Sequence, residues 1–444
     1  MINTAEIKMW GTKIATIHLD DGKPYISFEY DKKFVNSGIE VAPICMPLSK
    51  RIYEFPNLNS DAFRGVPGMI ADSLPDKFGN SIINQWLASS GRTERDFNVI
   101  DRLCYTGSRG MGALEYLPVS GPASEVDEPI NVNEMVQFAS DILNNRDSVK
   151  LDMSNELTYS QLLQLGTSAG GARAKAIIAW NEKTHEIRSG QVNLGKDFGY
   201  WLMKFDGVSK NGDHGTEDEP EYTLIEYAYY QMALQAGIDM NKCQIFRENG
   251  YNHFMTKRFD RADGKKLHMQ TLGAIAHIDY NIPGLCSYEQ AVSYMRQMNL
   301  GAKDIEQLYR RMVFNVLAVN QDDHVKNISF LMDRNGIWKL SPAYDMTFSY
   351  NIRNRWLSAH QMLINGKKEN ITMEDLLTSG KNMDISTKRC KSVIRDVKKA
   401  VNSWMQIADD VGIREKTATD INKIMENGDC NGQKGTDAAR QTGL

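Results

Sequence analysis

The chain has 444 residues, 41% of them hydrophobic, enough for two or three substantial cores because a single core stops growing near ~250 residues. Its 52 basic and 56 acidic side chains leave a formal net charge of −4, so no overall field recruits nucleic acid, and DNA binding by this chain alone is disfavoured. The six cysteines (Cys45, Cys104, Cys243, Cys286, Cys390, Cys430) include no Cys-x-x-Cys pair, which argues against a zinc site or a disulfide framework and fits a reducing compartment. The start, MINTAEIKMW, lacks a basic segment followed by an apolar run, and no stretch of about 18 uncharged apolar residues occurs. A soluble, cytoplasmic protein with no membrane association is expected.

The first segment alternates as strands do. IKMWGTKIATIHL and PYISFEY flank DDGK, whose Asp-Gly supplies the positive φ of a hairpin turn. A helix is expected from about Asp76 to Leu87, and LCYTGSRGMGALEYLP carries three glycines into a short strand. Residues 1–118 thus read as a small α+β subdomain. Val119–Pro129, rich in Pro, Ser and acid, reads as a linker. Beyond it NEMVQFASDILNN is helical, AKAIIAW and GYWLMKFD suit buried strands, and YTLIEYAYYQMALQAGI is a helix stopped by Gly237. After the strand-like NHFMTKRFDR, the apolar residues Ile305, Leu308, Tyr309, Met312, Val313, Val316 and Leu317 mark one face of a long helix. The last third is mostly helical. Residues 427–444 have almost nothing to bury and read as a disordered tail.

The densest polar cluster lies in NQDDHVKNISFL, Asn320 to Leu331. The strand-like ISFLMD and IWKLSPA are separated by RNG, so the chain goes out and returns. Taken about Gly336, an in-register hairpin sets Asn327 beside Asp345. An amide oxygen and a carboxylate are hard ligands of the kind Mg²⁺ takes while keeping phosphate and water. Asp322 precedes Asn327 by the Asp-to-Asn spacing of a protein-kinase catalytic loop, in which the Asp accepts the substrate hydroxyl proton. By itself D-x-x-x-x-N is more often a helix cap and a turn; the hairpin and Asp345 reverse that balance. Asp323 competes with Asp322 for the role, and the spacing prefers Asp322.

Phosphoryl transfer also needs cations on the phosphates. Lys204 is a lone charge in an apolar strand, where burial is costly unless it faces an anion, although a strand-edge lysine reaching water is the plain alternative. Glu221 or Glu226 could pair with it. GTSAGGARAKAIIAW runs from a glycine loop into a strand, and Arg173 and Lys175 add charge. Neither GxxxxGK[ST] nor GxGxxG occurs, which excludes an ordinary Walker A loop and argues against a Rossmann fingerprint or a standard kinase glycine loop.

Taken together, RGMGALEY, SAGGARAKA, LMKFD, KRFDR, DDHVKN and PAYD, in that order, resemble the signatures of the HipA family, serine/threonine kinase toxins of bacterial type II toxin–antitoxin modules. The resemblance implies an α+β chain: an N-terminal subdomain followed by a bilobal protein-kinase-like fold, with an N-lobe at 130–260 and a mostly helical C-lobe at 261–426. It implies ATP and Mg²⁺ as cofactors, Asp322 as catalytic base, and Asn327 and Asp345 as metal ligands. Gly170, Gly171, Ala172, Arg173, Ala174 and Lys175 would form the loop over ATP, with Lys204 on its phosphates and His324 and Tyr344 as further nucleotide contacts. Lys257, Arg258 and Phe259 would be the hinge beside adenine; Lys257 stands where better-known members carry Glu, so that contact would rest on backbone groups. Ser168 matches the serine that members autophosphorylate. Family members act on translation, some by phosphorylating an aminoacyl-tRNA synthetase, and are restrained by a small helix-turn-helix antitoxin through which DNA contact mainly comes. Two other readings fit the same residues: a small-molecule phosphotransferase, and a catalytically silent nucleotide-binding partner of a transcriptional repressor.

Overall fold

The computed structural model describes residues 1–89, 91–121, 129–144, 173–190, 194–208, 221–262 and 264–428. The chain forms two compact units. One comprises Met1–Thr223, Lys242–Gln270 and Leu331–Ile337, and the other Leu224–Asn241, Thr271–Phe330 and Trp338–Leu444. Its class is α+β, as the sequence implied.

In the first unit β1 (Thr4–Met9) and β2 (Thr12–His18) pair antiparallel around Trp10 and Gly11, both at positive φ (53° and 83°). The alternation pattern treats this stretch as one strand. Its turn is hidden because a tryptophan stands where Asn or Asp usually signals one. β3 (Ser27–Tyr30) follows the expected Asp-Gly turn, with Gly22 at φ 81°, and pairs antiparallel with β2. With β4 (Tyr53–Glu54) and β5 (Leu114–Leu117), the sheet order is β4-β3-β2-β1-β5. Alternation along β1 buries Ala5, Ile7 and Met9.

Of three helices, α1 (Lys77–Ser89), α2 (Val99–Thr106) and α3 (Val132–Asn144), α2 packs against β1 and β5 of this first sheet, while α1 and α3 accompany a second sheet. Its strands are β6 (Lys175–Trp180), β7 (Ile187–Ser189), β8 (Gly199–Lys204), β9 (Cys243–Glu248) and β10 (Tyr251–Lys257), in the antiparallel order β7-β6-β8-β10-β9. Phe78 and Ile82 of α1 and Met135 of α3 share one core with Ile178, Trp201 and Met203 of these strands. The composition break at Val119–Pro129 therefore separates two sheets but is not a clean core boundary, since α1 precedes the break and packs with strands that follow it. Residues 122–128 of that segment, the polar loop 209–220 and all but the first two residues of the 427–444 tail lie outside the described residues.

A polar tie joins the same two sheets. Asp260 is fully buried and accepts from Arg258 (Nε at 2.9 Å, Nη2 at 2.7 Å), from Arg261 Nη1 at 2.6 Å and from the Gly112 amide at 2.7 Å. Both guanidiniums also donate to the Gly110 carbonyl. Burial by itself would raise the Asp260 carboxyl; the charges of Arg258 and Arg261 outweigh it and hold the group well below the usual carboxylate range. Two of the sequence signatures, RGMGALEY and KRFDR, are thus halves of one clamp.

The second unit is mainly helical. It holds most of α4 (Tyr222–Gln235), then α5 (Tyr288–Gln297), α6 (Ala302–Leu317), α7 (Met373–Asn382), α8 (Thr387–Val401), α9 (Trp404–Val411) and α10 (Glu415–Gly428). The seven apolar positions read as one face of α6 are all buried, and so are Arg310, Arg311, Phe314 and Asn315, which makes α6 the unit's central helix. Tyr229 of α4 packs edge-on against Phe314 and Trp404, and its hydroxyl donates to the Ala318 carbonyl at 2.5 Å. Among the described residues no helix is long and apolar enough to cross a membrane, and Cys45, Cys104, Cys243, Cys286 and Cys390 are free thiols.

Candidate functional site

The NQDDHVKN segment begins where α6 stops, and the helix stops abruptly. Val319 is at φ 53°, a left-handed conformation that a β-branched side chain adopts only when its surroundings impose it. Those surroundings are visible. Asn320 donates its backbone N–H to the Asn315 carbonyl (2.9 Å) and its side-chain amide to Asn315 Oδ1 (3.0 Å). Gln321 N–H donates to Ser349 O at 2.9 Å, and Ser349 N–H to Val319 O at 3.2 Å. Further on, the Val325 and Ile328 carbonyls accept from Gly273 and Leu272 at the start of a short helix capped by Thr271. The loop is clamped at both ends.

Within it the two adjacent aspartates have opposite environments. Asp323 is 3% exposed, and its carboxylate accepts from Tyr288 Oη (2.9 Å), His360 Nδ1 (3.0 Å) and the Gln361 amide (2.7 Å). Asp322 keeps 28% of its side chain exposed, with His324 Nε2 at 3.9 Å. Its backbone carbonyl accepts from the Asn327 side-chain amide at 2.8 Å, while Asn327 N–H closes a turn onto His324 O. This Asp-to-Asn spacing therefore closes a small ring that fixes Asp322 and turns the Asn327 amide oxygen away from it.

The hairpin that carries Asp345 consists of β11 (Ser329–Met332) and β12 (Trp338–Leu340). Its register differs from the one expected. Ser341 N–H donates to Ser329 O and Asp333 N–H to Ile337 O, so pairing is centred on Asn335 rather than Gly336. The reason is Asp333, whose carboxylate accepts from the amides of Asn335 and Ile337 and holds a three-residue loop with Gly336 at φ 80°. In that register Asn327 lies across from Ala343 and not Asp345. Asp345 still comes close, because the chain leaves the hairpin at Ala343, which bridges Met240, and Asp345 itself turns at φ 50°. Tyr344 donates its hydroxyl to Lys326 O at 2.6 Å.

Asn327, Tyr344 and Asp345 line one cavity together with Asn320, Asp323 and His324. Its free volume is about 20 Å³, room for one water or ion. Among the described residues no group of three or more His, Cys, Asp or Glu could hold a metal. Of the lining residues, the donors expected for a metal are the Asn327 amide oxygen and the Asp345 carboxylate. That set suits a small hard cation that completes its shell with phosphate and water, and it does not suit a metal needing an all-protein cage.

The phosphate-binding candidates fall in the first unit. Lys204, half-buried at the end of β8, stands opposite Lys175 on β6 and Phe254 on β10, with its ammonium 5.8 Å from the Phe254 ring. The Lys175 ammonium is 3.1 Å from Asp76 Oδ2, both side chains being buried, and Asp76 Oδ1 also caps α1 through the Gly79 amide. Arg173 stacks over the Tyr222 ring at 4.4 Å, and Ala174 is buried in the core. Of the residues expected as a hinge, Lys257 is exposed and Phe259 half-buried, whereas the Arg258 guanidinium is held by Asp260 and its amide donates to Tyr200 O at 2.9 Å. Ser168, Gly170, Gly171 and Ala172 lie outside the described residues.

Sequence reasoning missed Asp76, Tyr288 and His360, each remote in sequence from the residue it holds. It also missed the work of LMKFD's aspartate: Asp206 accepts from the Asn252 amide, and its own N–H donates to His253 Nδ1 at 3.0 Å, tying β8 to β10.

The chain matches the HipA N-terminal domain over residues 5–117 and the HipA-like C-terminal domain over residues 167–405. It is 24% identical over 351 residues to "Putative kinase Y4mE" of Sinorhizobium fredii, covering 76% of this chain and 75% of that one. It is 30% identical over 160 residues to a "Putative kinase" of Haemophilus influenzae, covering 32% of this chain and 46% of that one. Its fold is similar, with a TM-score of 0.64 at 16% identity and 96% and 95% coverage, to HipA of Shewanella oneidensis MR-1, solved in complex with HipB and its operator DNA. With the signatures of both halves matched in order, the chain belongs to the HipA family.

Proposed function

We propose that this chain is an ATP- and Mg²⁺-dependent serine/threonine protein kinase that acts as a HipA-type toxin and autophosphorylates Ser168. The observation that carries the reading is the ring closed by Asn327 on the Asp322 carbonyl, beside a cavity that Asn327 and Asp345 line together.

In this reading Asp322 accepts the proton of a serine or threonine hydroxyl as its oxygen forms a bond to the γ-phosphorus, and the bond to the β–γ bridging oxygen breaks to release ADP. Asn327 and Asp345 would hold Mg²⁺, which when bound offsets charge on the phosphate oxygens. Lys204 supplies a fixed cation to the phosphates, and Arg173, Lys257, Phe259, His324 and Tyr344 serve as nucleotide contacts. The cellular target is a protein, with translation the process the resemblance suggests. A small helix-turn-helix antitoxin is the proposed partner, supported by the Shewanella protein having been solved with HipB and operator DNA, and contact with DNA comes mainly through it.

The test is incubation with labelled ATP and Mg²⁺, comparing wild type with Asp322→Asn. Label on Ser168 in the wild type alone is the expected result. Equal label in both proteins would remove Asp322 from the chemistry, and no label in a freshly dephosphorylated wild type would remove the kinase assignment.

A further inference from the structure

We infer that Asp323 is a positioning residue: its buried carboxylate, gripped by Tyr288, His360 and Gln361, aims the neighbouring Asp322 at the substrate hydroxyl. The inference rests on the kinase reading for the role of Asp322, but the grip itself is independent of that reading.

A carboxylate that is 3% exposed requires donors, because burying a charge without them is costly. Asp323 has three. The Tyr288 hydroxyl comes from α5, and His360 Nδ1 and the Gln361 amide come from the segment following Asp345. The contacts continue behind it. Asn315 of α6 donates its side-chain amide to Tyr288 Oη at 3.0 Å and accepts from Asn320 at the start of the loop. One carboxylate therefore links α5, α6, the catalytic loop and the returning chain. Since Asp322 and Asp323 share a peptide plane, fixing the second restricts the backbone of the first, and a displacement of about 1 Å at a reacting group can cost ~10²-fold in rate.

The charge of Asp323 is not what positioning needs. A carboxylate acceptor fixes His360 as an Nδ1–H donor. In Asp323→Asn the amide nitrogen would be a donor, and both facing partners can become acceptors: the Tyr288 hydroxyl by rotating, the imidazole by moving its proton to Nε2. Asp322, as a proton acceptor, has no such substitute. The two adjacent aspartates are thus predicted to respond oppositely to amidation.

The experiment measures kcat and KM for ATP, and amide hydrogen exchange over residues 319–328, in wild type, Asp322→Asn, Asp323→Asn and Asp323→Leu. For Asp323→Leu the expectation is a kcat lower by about 10²-fold, an unchanged KM for ATP and faster exchange. Asp323→Asn recovers most of both kcat and protection, while Asp322→Asn loses activity with exchange unchanged. Wild-type kcat in Asp323→Leu overturns the inference, as does loss in Asp323→Asn equal to that in a folded Asp322→Asn. Should Asp323→Leu fail to fold, Tyr288→Phe and His360→Phe each remove one donor and are read the same way. If the wild type transfers no phosphate, the kinase reading falls; exchange over 319–328 still tests the grip, and unchanged exchange in Asp323→Leu would overturn that too.

Discussion

Lys175 and Lys204 occupy directly opposed positions on adjacent antiparallel strands, which puts two cationic side chains on one face of the sheet. Like charges so placed repel, and the structure treats them differently. Lys175 is buried against Asp76, while Lys204 remains half-buried at the strand end. Lys175→Met leaves the Asp76 carboxylate buried without its cation, a change that costs about 3–5 kcal/mol in buried ion pairs, so its denaturation midpoint is expected to fall sharply. Lys204→Met relieves repulsion and is expected to be neutral or slightly stabilising while weakening ATP binding. Urea titration and calorimetry with a non-hydrolysable ATP analogue separate the two. Equal loss of nucleotide affinity in both variants, at unchanged stability, would defeat this division.

The Asp260 clamp makes a prediction about stability alone. Asp260→Asn keeps shape but removes the charge that offsets two buried guanidiniums, and burial already lowers the pKa of Arg261 to about 10. The loss is expected to be about 3–5 kcal/mol. Because the clamp joins the strand after Gly112 to the segment after β10, limited proteolysis of Asp260→Asn should cut both stretches earlier than in wild type. Cleavage at one stretch only would mean the two are not coupled through this carboxylate.

Local information explains what was legible in the sequence. The face of α6 follows from periodicity, and the five-residue spacing singled out Asp322 and Asn327, whereas the ring that joins them was not foreseen. The hairpin was visible through its alternation and Asn-Gly, but its register was set by the Asp333 carboxylate, which moved the centre by one residue and each partner by two, and left Asp345 to reach the cavity through its own backbone turn. Residues that act across large separations carried no signal. Asp76 stands at the start of the expected helix, which it caps in the structure, and nothing near it announces a buried lysine. Tyr288 and His360 stand 35 and 37 residues from Asp323, and no local pattern connects them to it.

Acid should destabilise the protein well before its carboxylates titrate. Burial lowers His253, His268 and His277 to about 4. His253 Nδ1 accepts from the Asp206 amide, which requires the unprotonated nitrogen. Each of these side chains is neutral in the folded protein between pH ~4 and ~6.5 but protonated in the unfolded chain. Unfolding therefore takes up protons, and stability falls as pH drops through that window, by up to about 1.4 kcal/mol per pH unit for each histidine. Asp260 works in a lower window, its stabilisation persisting until pH falls below the ordinary Asp value near ~3.9. Denaturation midpoints from pH 7 to 4 should show the first slope, and His268→Gln should reduce it. A flat profile above pH ~4 would mean that these histidines are protonated in the folded state.

Asn327 is expected to have two separable tasks, because its side chain has two ends. The amide nitrogen holds the Asp322 carbonyl at 2.8 Å; the amide oxygen is the part proposed to meet Mg²⁺. Asn327→Ala removes both. Asn327→Asp keeps an oxygen of the kind a hard cation takes but loses the donor, and it sets a carboxylate against the Asp322 carbonyl. Hydrogen exchange around Asp322 should therefore rise in both variants. The Mg²⁺ concentration for half-maximal phosphate transfer should rise several-fold in Asn327→Ala and much less in Asn327→Asp, whose maximal rate still falls because its loop is no longer tied. A Mg²⁺ requirement raised equally in both would show that the metal depends on loop order rather than on the Asn327 oxygen, leaving Asp345 as the protein's one direct ligand.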